Sequence, residues 1–310
     1  MTLPTVSGLS TRPVSVRELQ LAWAAVQAGQ FRPGQFGAGA HPPTVPPHGL
    51  GVGGDRTARD WAPTEMVVVV AGCAGCCGVT TTAVALATVA AAELPAPALT
   101  RVVEASSASQ SGLLAASTVE LGMAGNGWVR GRRGPVLLER TTEVMTCPRD
   151  VPVPAPAQSG VALTVLDVGW DVSTAVAAQT WVTPFLTDRS SPRVLAATAT
   201  VPGMRRLETA LSLIDLPAAA SMSTELLPVL AVLGPPPRRW SRQLSAAIGP
   251  LTAALREQGR LVTLPTDQHL SVLGLTPAPW PRRVLAAADQ IYRLLPQHTP
   301  SSIDLSEGPT

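Results

Sequence analysis

Residues 66–87 read Met-Val-Val-Val-Val-Ala-Gly-Cys-Ala-Gly-Cys-Cys-Gly-Val-Thr-Thr-Thr-Ala-Val-Ala-Leu-Ala, and their reading decides the fold. Met66–Ala71 is a continuous apolar run rich in β-branched residues, the pattern of a strand buried on both faces. Gly72–Gly78 is a glycine-rich turn, and Thr80–Glu93 has the length and composition of a helix. No charged residue occurs from Met66 to Ala92, which is long enough to cross a bilayer. Three glycines in the seven positions 72–78 break a helix there, and three threonines follow. A strand, a turn and a buried helix therefore explain the run better than a membrane span. A membrane-anchored subunit through 66–92, or peripheral membrane association, stays open as an alternative.

Outward from this unit, apolar runs alternate with helical stretches. Strands are expected at Arg101–Ala105, Val161–Val168, Arg193–Thr198, Leu227–Leu233 and Leu261–Leu264. Helices are expected at Gln110–Leu121, Val172–Phe185, Met204–Ile214, Arg242–Gln258 and Arg283–Leu295. The alternation implies an α/β fold, a doubly wound and mostly parallel sheet, over 64–297. Within the irregular stretch 122–160, Gly131–Gly134 is placed to turn a hairpin between Trp128–Arg130 and Val136–Arg140. Residues 1–63 form an extension. Ser15 and Glu18 make a capping box, and Leu19, Trp23 and Val26 share one stripe of an amphipathic helix over 16–28. A Pro/Gly-rich linker follows, and 298–310 read as a polar tail. The stripe is a candidate contact for a protein partner; packing back on its own domain is the alternative.

Composition excludes several chemistries. The chain has 310 residues, is 45% hydrophobic and carries a formal net charge of +2, too small to signal nucleic-acid binding. All 23 basic residues are Arg, so every mechanism that needs a lysine is excluded. The Arg, Ala and Pro bias reads as a high-GC coding sequence. No signal-like start is visible and the four Cys make no disulfide framework, so a reducing cytoplasm is expected. Cys73, Cys76, Cys77 and Cys147 lack paired metal-ligand spacing and read as small buried thiols, with a thiol–metal protein as the alternative. Four scattered histidines form no triad. Arg238, Arg239, Trp240 and Arg242 cluster after three prolines, and a solvated loop with Trp240 tucked against the sheet is the expectation.

A strand, glycine-rich turn and helix in this order is the setting in which backbone N–H groups cradle phosphate. The stretch resembles the deviant Walker A region of the ParA/MinD group of P-loop ATPases, Gly-Lys-Gly-Gly-x-Gly-Lys-Thr-Thr. Gly75, Gly78, Thr80 and Thr81 agree with that motif. Cys73 and Cys76 stand at glycine positions, Ala74 at the signature lysine and Val79 at the phosphate-binding lysine. Glu104 and Ser106 resemble the family's Asp-x-Asp pair, and Asp167 resembles the Walker B aspartate. Leu264-Pro265-x-Asp267 resembles the loop bordering the adenine pocket. Taken as it stands, the resemblance implies a degenerate nucleotide site of Gly75, Gly78, Thr80, Thr81 and Asp167 in a pseudo-ATPase. No arginine lies between Arg59 and Arg101 to replace the lysines. Neither hydrolysis nor a bound nucleotide is expected, the turn then merely linking strand to helix, and weak ATP/Mg binding by amides and Thr80 is the alternative. The implied role is structural or regulatory, accessory to plasmid maintenance, conjugative transfer or secretion, with a homodimer possible near the turn. A divergent ATP-binding partition-type ATPase is the alternative.

Overall fold

In the computed structural model, residues 61–214 and 226–296 are described. The amphipathic stripe of Leu19, Trp23 and Val26, the linker and the polar tail lie outside them. Strand β1 (Met66–Gly72) sits inside a nine-stranded sheet, flanked by β6 (Val161–Asp171) on one side and β7 (Arg193–Thr198) on the other. Both pairings are parallel. The order continues outward from β6 to β2 (Leu99–Ala105), and from β7 to β8 (Val229–Leu233) and β9 (Leu261–Leu264). Beyond β2 lie β5 (Val136–Thr141), β4 (Trp128–Arg133) and β3 (Val119–Gly125). β5 runs parallel to β2, while β4 and β3 complete an antiparallel meander. The expected doubly wound, mostly parallel sheet is present.

The uncharged run of 66–92 follows from this position. Val67, Val69 and Ala71 enter one core layer, and Val68 and Val70 the other. Each buried valine contributes about 1.5–3 kcal/mol of transfer free energy. Helix α1 (Val79–Glu93) lies on the second layer beneath α8 (Arg282–Leu294), and Ala85 meets Val284 and Ala288. A helix covered by the sheet on one side and another helix on the other has no face for charge. Opposite lie α2 (Val172–Ala178), α3 (Thr183–Thr187), α4 (Val201–Leu213), α5 (Arg242–Ala246) and α6 (Pro250–Glu257). Among the described residues no helix is long and apolar enough to cross a membrane, and 66–92 is divided among strand, turn and helix. The span reading of 66–92 is thus replaced.

Several expected elements differ. Gln110–Leu121 is not a helix: a 3₁₀ turn at Ala108–Gln110 leads through an irregular segment into β3. Glu104 accepts hydrogen bonds from the Ser111 hydroxyl and the Gly112 N–H there, so a long-range acceptor replaces the helical one. The Gly131–Gly134 turn is displaced to Gly134-Pro135, because Arg133 still pairs with Val136. The preceding turn is Asn126-Gly127, with φ of 51° and 80°, the primed type that suits hairpins. Val172–Phe185 divides at Gln179, whose φ is 51°. Arg242–Gln258 divides before Pro250, where Glu208 of α4 accepts from the N–H groups of Leu251 and Thr252. An additional helix, α7 (Gln268–Leu273), begins where the Asp267 side chain accepts from Leu270 N–H at 3.0 Å.

Candidate functional site

The turn between β1 and α1 stands at the carboxyl edge of the sheet. The Cys73 N–H donates to the Ala196 carbonyl of β7 at 2.9 Å, which anchors the first residue. From Ala74 to Gly78 no N–H donates to a backbone carbonyl among the described residues. Cys76 and Gly78 adopt φ of 59° and 87°. Left-handed residues in a turn of this kind are one component of the concavities in which successive N–H groups bind anions. The dipole of the 15-residue α1 adds to it. Cys76 holds a left-handed conformation without being glycine, at a cost of about 1–2 kcal/mol.

Side chains fill part of the turn's interior. A Cβ on Gly72 would lie 2.6 Å from Val79 Cγ2 and 2.9 Å from Cys77 Sγ. Val79, at the position of the phosphate-binding lysine in the motif, therefore lies against the backbone of Gly72. The Cys77 thiol donates to the Ala74 carbonyl at 2.9 Å. Burial, then the neighbouring Cys77 and Asp171, push the Cys73 thiol up to about 12. Burial also raises the Cys77 thiol. Both are inert thiols at neutral pH, while Cys76 is exposed. No group of His, Cys, Asp and Glu suited to a metal ion occurs among the described residues.

Two acids lie beneath the turn. Asp167 of β6 pairs in register with Glu104 of β2 and with Val70 of β1. Both acids are buried, and Asp167 has no exposed surface. Neither Asp167 carboxyl oxygen has a hydrogen-bond partner. Burial raises its pKa well above the carboxylate range and the Glu104 charge raises it further; the nearby Thr80 hydroxyl opposes this. Burial also raises Glu104, against the hydrogen bonds from Ser111, Gly112 and Leu113. One shared proton relieves the repulsion between such neighbours. The N-cap of α2 is Asp171, which accepts from the Thr174 N–H at 3.1 Å.

A cavity flanks each side of the turn. One, about 350 Å³, is lined by Cys76, Gly78 and Thr81 of the turn and α1, by Leu233 and Leu264 of β8 and β9, and by Pro265–Asp267 beyond. The other, about 430 Å³, lies between Cys73–Gly75, the Asp171–Ser173 junction and Arg206 and Thr209 of α4. The structure thus divides the expected site residues: Gly78 and Thr81 line the first cavity, Gly75 the second, and Thr80 stands near Asp167. The Pro265–Asp267 loop lines the first cavity. Arg206 was missed, because nothing in the local sequence ties α4 to the turn. Trp240 is buried, and its indole N–H donates to the Pro235 carbonyl at 2.7 Å.

No family model matches the sequence, and no curated protein matches it. Solved structures of similar architecture include the MinD cell division protein of Aquifex aeolicus, 13% identical, covering 74% of this chain and 97% of that one, with a TM-score of 0.43. A ParA family ATPase from Chlorobium tepidum is 12% identical, with coverage of 74% and 95% and a TM-score of 0.42. A plasmid partition protein from Borrelia burgdorferi, bound to AMPPNP, is 11% identical, with coverage of 74% and 97% and a TM-score of 0.41. Every score is below 0.5, and nothing about ligand or activity passes from those proteins to this chain.

Proposed function

We propose that this chain binds a nucleoside polyphosphate across its glycine-rich turn without hydrolysing it, and serves as a structural or regulatory protein of the partition type. The observation that carries the reading is a turn whose Gly75, Cys76 and Gly78 N–H groups meet no backbone carbonyl among the described residues, set between two cavities and above a buried acid whose carboxyl oxygens have no hydrogen-bond partner there. The amides suit phosphate oxygens. The 350 Å³ cavity, walled by Ala85, Leu233, Leu264, Val284 and Ala288, is within the range of small-ligand pockets and suits the flat face of a base. The Thr80 hydroxyl and, once it has released its proton, the Asp167 carboxyl are the groups a hydrated divalent cation beside the phosphates would meet. Such an ion supplies charge shielding.

The turn itself lacks a cation, since Ala74 and Val79 replace both motif lysines and Val79 packs on Gly72. Losing one transition-state donor costs about two to three orders of magnitude in rate, so binding outlasts turnover. An accessory role in plasmid maintenance, conjugative transfer or secretion, with the 16–28 stripe as partner contact, rests on the sequence resemblance alone. The test is titration of the full chain with a fluorescent ATP analogue, alongside phosphate release from Mg-ATP. Saturable binding with release no faster than from an Asp167→Ala variant supports the reading; turnover abolished by that variant establishes the ATPase alternative, and no binding refutes the proposal.

A further inference from the structure

The cleft of about 430 Å³ on the α4 side of the turn contains a charge the loop does not. Arg206 lines it, facing the wall formed by Cys73, Ala74 and Gly75. Neither turn cavity is lined by any other cation among the described residues; the first carries only Asp267 as a charged group. Arg206 is exposed and has no ion pair among the described residues. Its neighbour Arg205 is also exposed but does not line the cleft.

One acid shares the space. Asp171 lines the same cleft, and although partial burial acts to raise its pKa, hydrogen bonds from Ser173 and Thr174 hold it below the usual range. Its oxygens are already engaged by the Ser173 hydroxyl, the Thr174 hydroxyl and the Thr174 N–H. Those bonds tie the carboxylate to the start of α2, whereas the Arg206 guanidinium has no ion pair among the described residues. Gly75 adds to the opening: a Cβ there would meet nothing within 4 Å. The cleft thus brings together the Gly75 N–H, which meets no backbone carbonyl among the described residues, a guanidinium with no ion pair among them, and room for a phosphate.

We propose that Arg206 is the cation that serves the lysine-free turn, and that the cleft takes the terminal phosphate of a nucleoside triphosphate between the Gly75 amide and the Arg206 guanidinium. The inference rests on the nucleotide-binding reading above. A planar, permanently charged fork suits a phosphate with two accessible oxygens. Approach from α4, rather than from within the turn, leaves Val79 free to pack on Gly72. The base would lie on the opposite side of the turn, in the 350 Å³ cavity, so the two recognitions are separable.

That separation sets the experiment. Full-length wild type, Arg206→Gln, Arg206→Lys and Arg205→Gln are each titrated with mant-ATP and mant-AMP in magnesium buffer, with thermal melts to confirm folding. Arg206→Gln should weaken mant-ATP binding about ten- to a hundred-fold, the scale of a charged hydrogen bond, and leave mant-AMP unchanged. Arg206→Lys should recover part of the loss, and Arg205→Gln should bind as wild type does. Unchanged mant-ATP affinity in Arg206→Gln, equal weakening of both nucleotides, or an equal loss in Arg205→Gln would overturn the assignment of Arg206 and leave nucleotide binding standing. Failure of wild type to bind either nucleotide would overturn both.

Discussion

Replacing Gly72 by alanine tests whether the turn is filled from within. The new methyl would lie 2.6 Å from Val79 Cγ2, 2.9 Å from Cys77 Sγ and 3.2 Å from the Ala74 carbonyl oxygen. Neither side chain yields readily. Val79 is β-branched and stiff about χ1, and the Cys77 thiol is held by its hydrogen bond to the Ala74 carbonyl. Overpacking at such a site costs about 1–3 kcal/mol. At about 2–4 °C per kcal/mol for a chain of this size, Gly72→Ala should melt about 2–12 °C below wild type. Gly75 provides the control, because an added Cβ there meets nothing and its φ is outside the left-handed region. Gly75→Ala should therefore melt at or slightly above wild type. Far-UV circular dichroism on heating measures both. If Gly72→Ala melts with Gly75→Ala, Val79 does not lie over Gly72, and the account of a turn occupied by apolar side chains is refuted.

Three further outcomes are expected. Asp167 has a raised pKa, so above about pH 4 the fold holds a proton that the unfolded chain releases, and its contribution to stability falls as pH rises. In chelator, Asp167→Asn should therefore be more stable relative to wild type near pH 8 than near pH 4; a difference independent of pH would refute this. Arg101→Ala should lose about 3–5 kcal/mol in urea unfolding, because Arg101 bonds to Glu65 at 2.7 Å and to the Ala155 carbonyl at 2.9 Å and lies near Glu139, all out of water. A loss below 1 kcal/mol would contradict that network. With a thiol reagent at pH 8, Cys76 should react in the native protein while Cys73 and Cys77 wait for unfolding; prompt reaction of all of them would show an open turn.

Strands whose apolar runs are bounded by nearby breaks were the most legible part of the sequence. Arg193–Thr198 and Leu261–Leu264 need no long-range information, since their apolar runs and flanking breaks lie within a few residues. What was not legible is what distant residues decide. Ser111 and Gly112 give their donors to Glu104, so an apparently helical 110–121 stretch becomes irregular chain. Glu208 caps α6 from α4 and splits an otherwise continuous helical pattern. Asn126-Gly127 was a readable hairpin signal, obscured because Val119, Leu121 and Met123 of β3 are exposed apolar residues and mimic a core pattern. At the site, the turn and Asp167 were visible in sequence, whereas Arg206 reaches the turn only through the packing of α4.

The account stands most directly on whether a turn without lysine holds a triphosphate. Titration of the purified full chain with mant-ATP in magnesium, paired with phosphate release from Mg-ATP, measures this. Saturable binding with no release above the Asp167→Ala background is the predicted result. Absence of binding, or release that the Asp167→Ala variant abolishes, would contradict it.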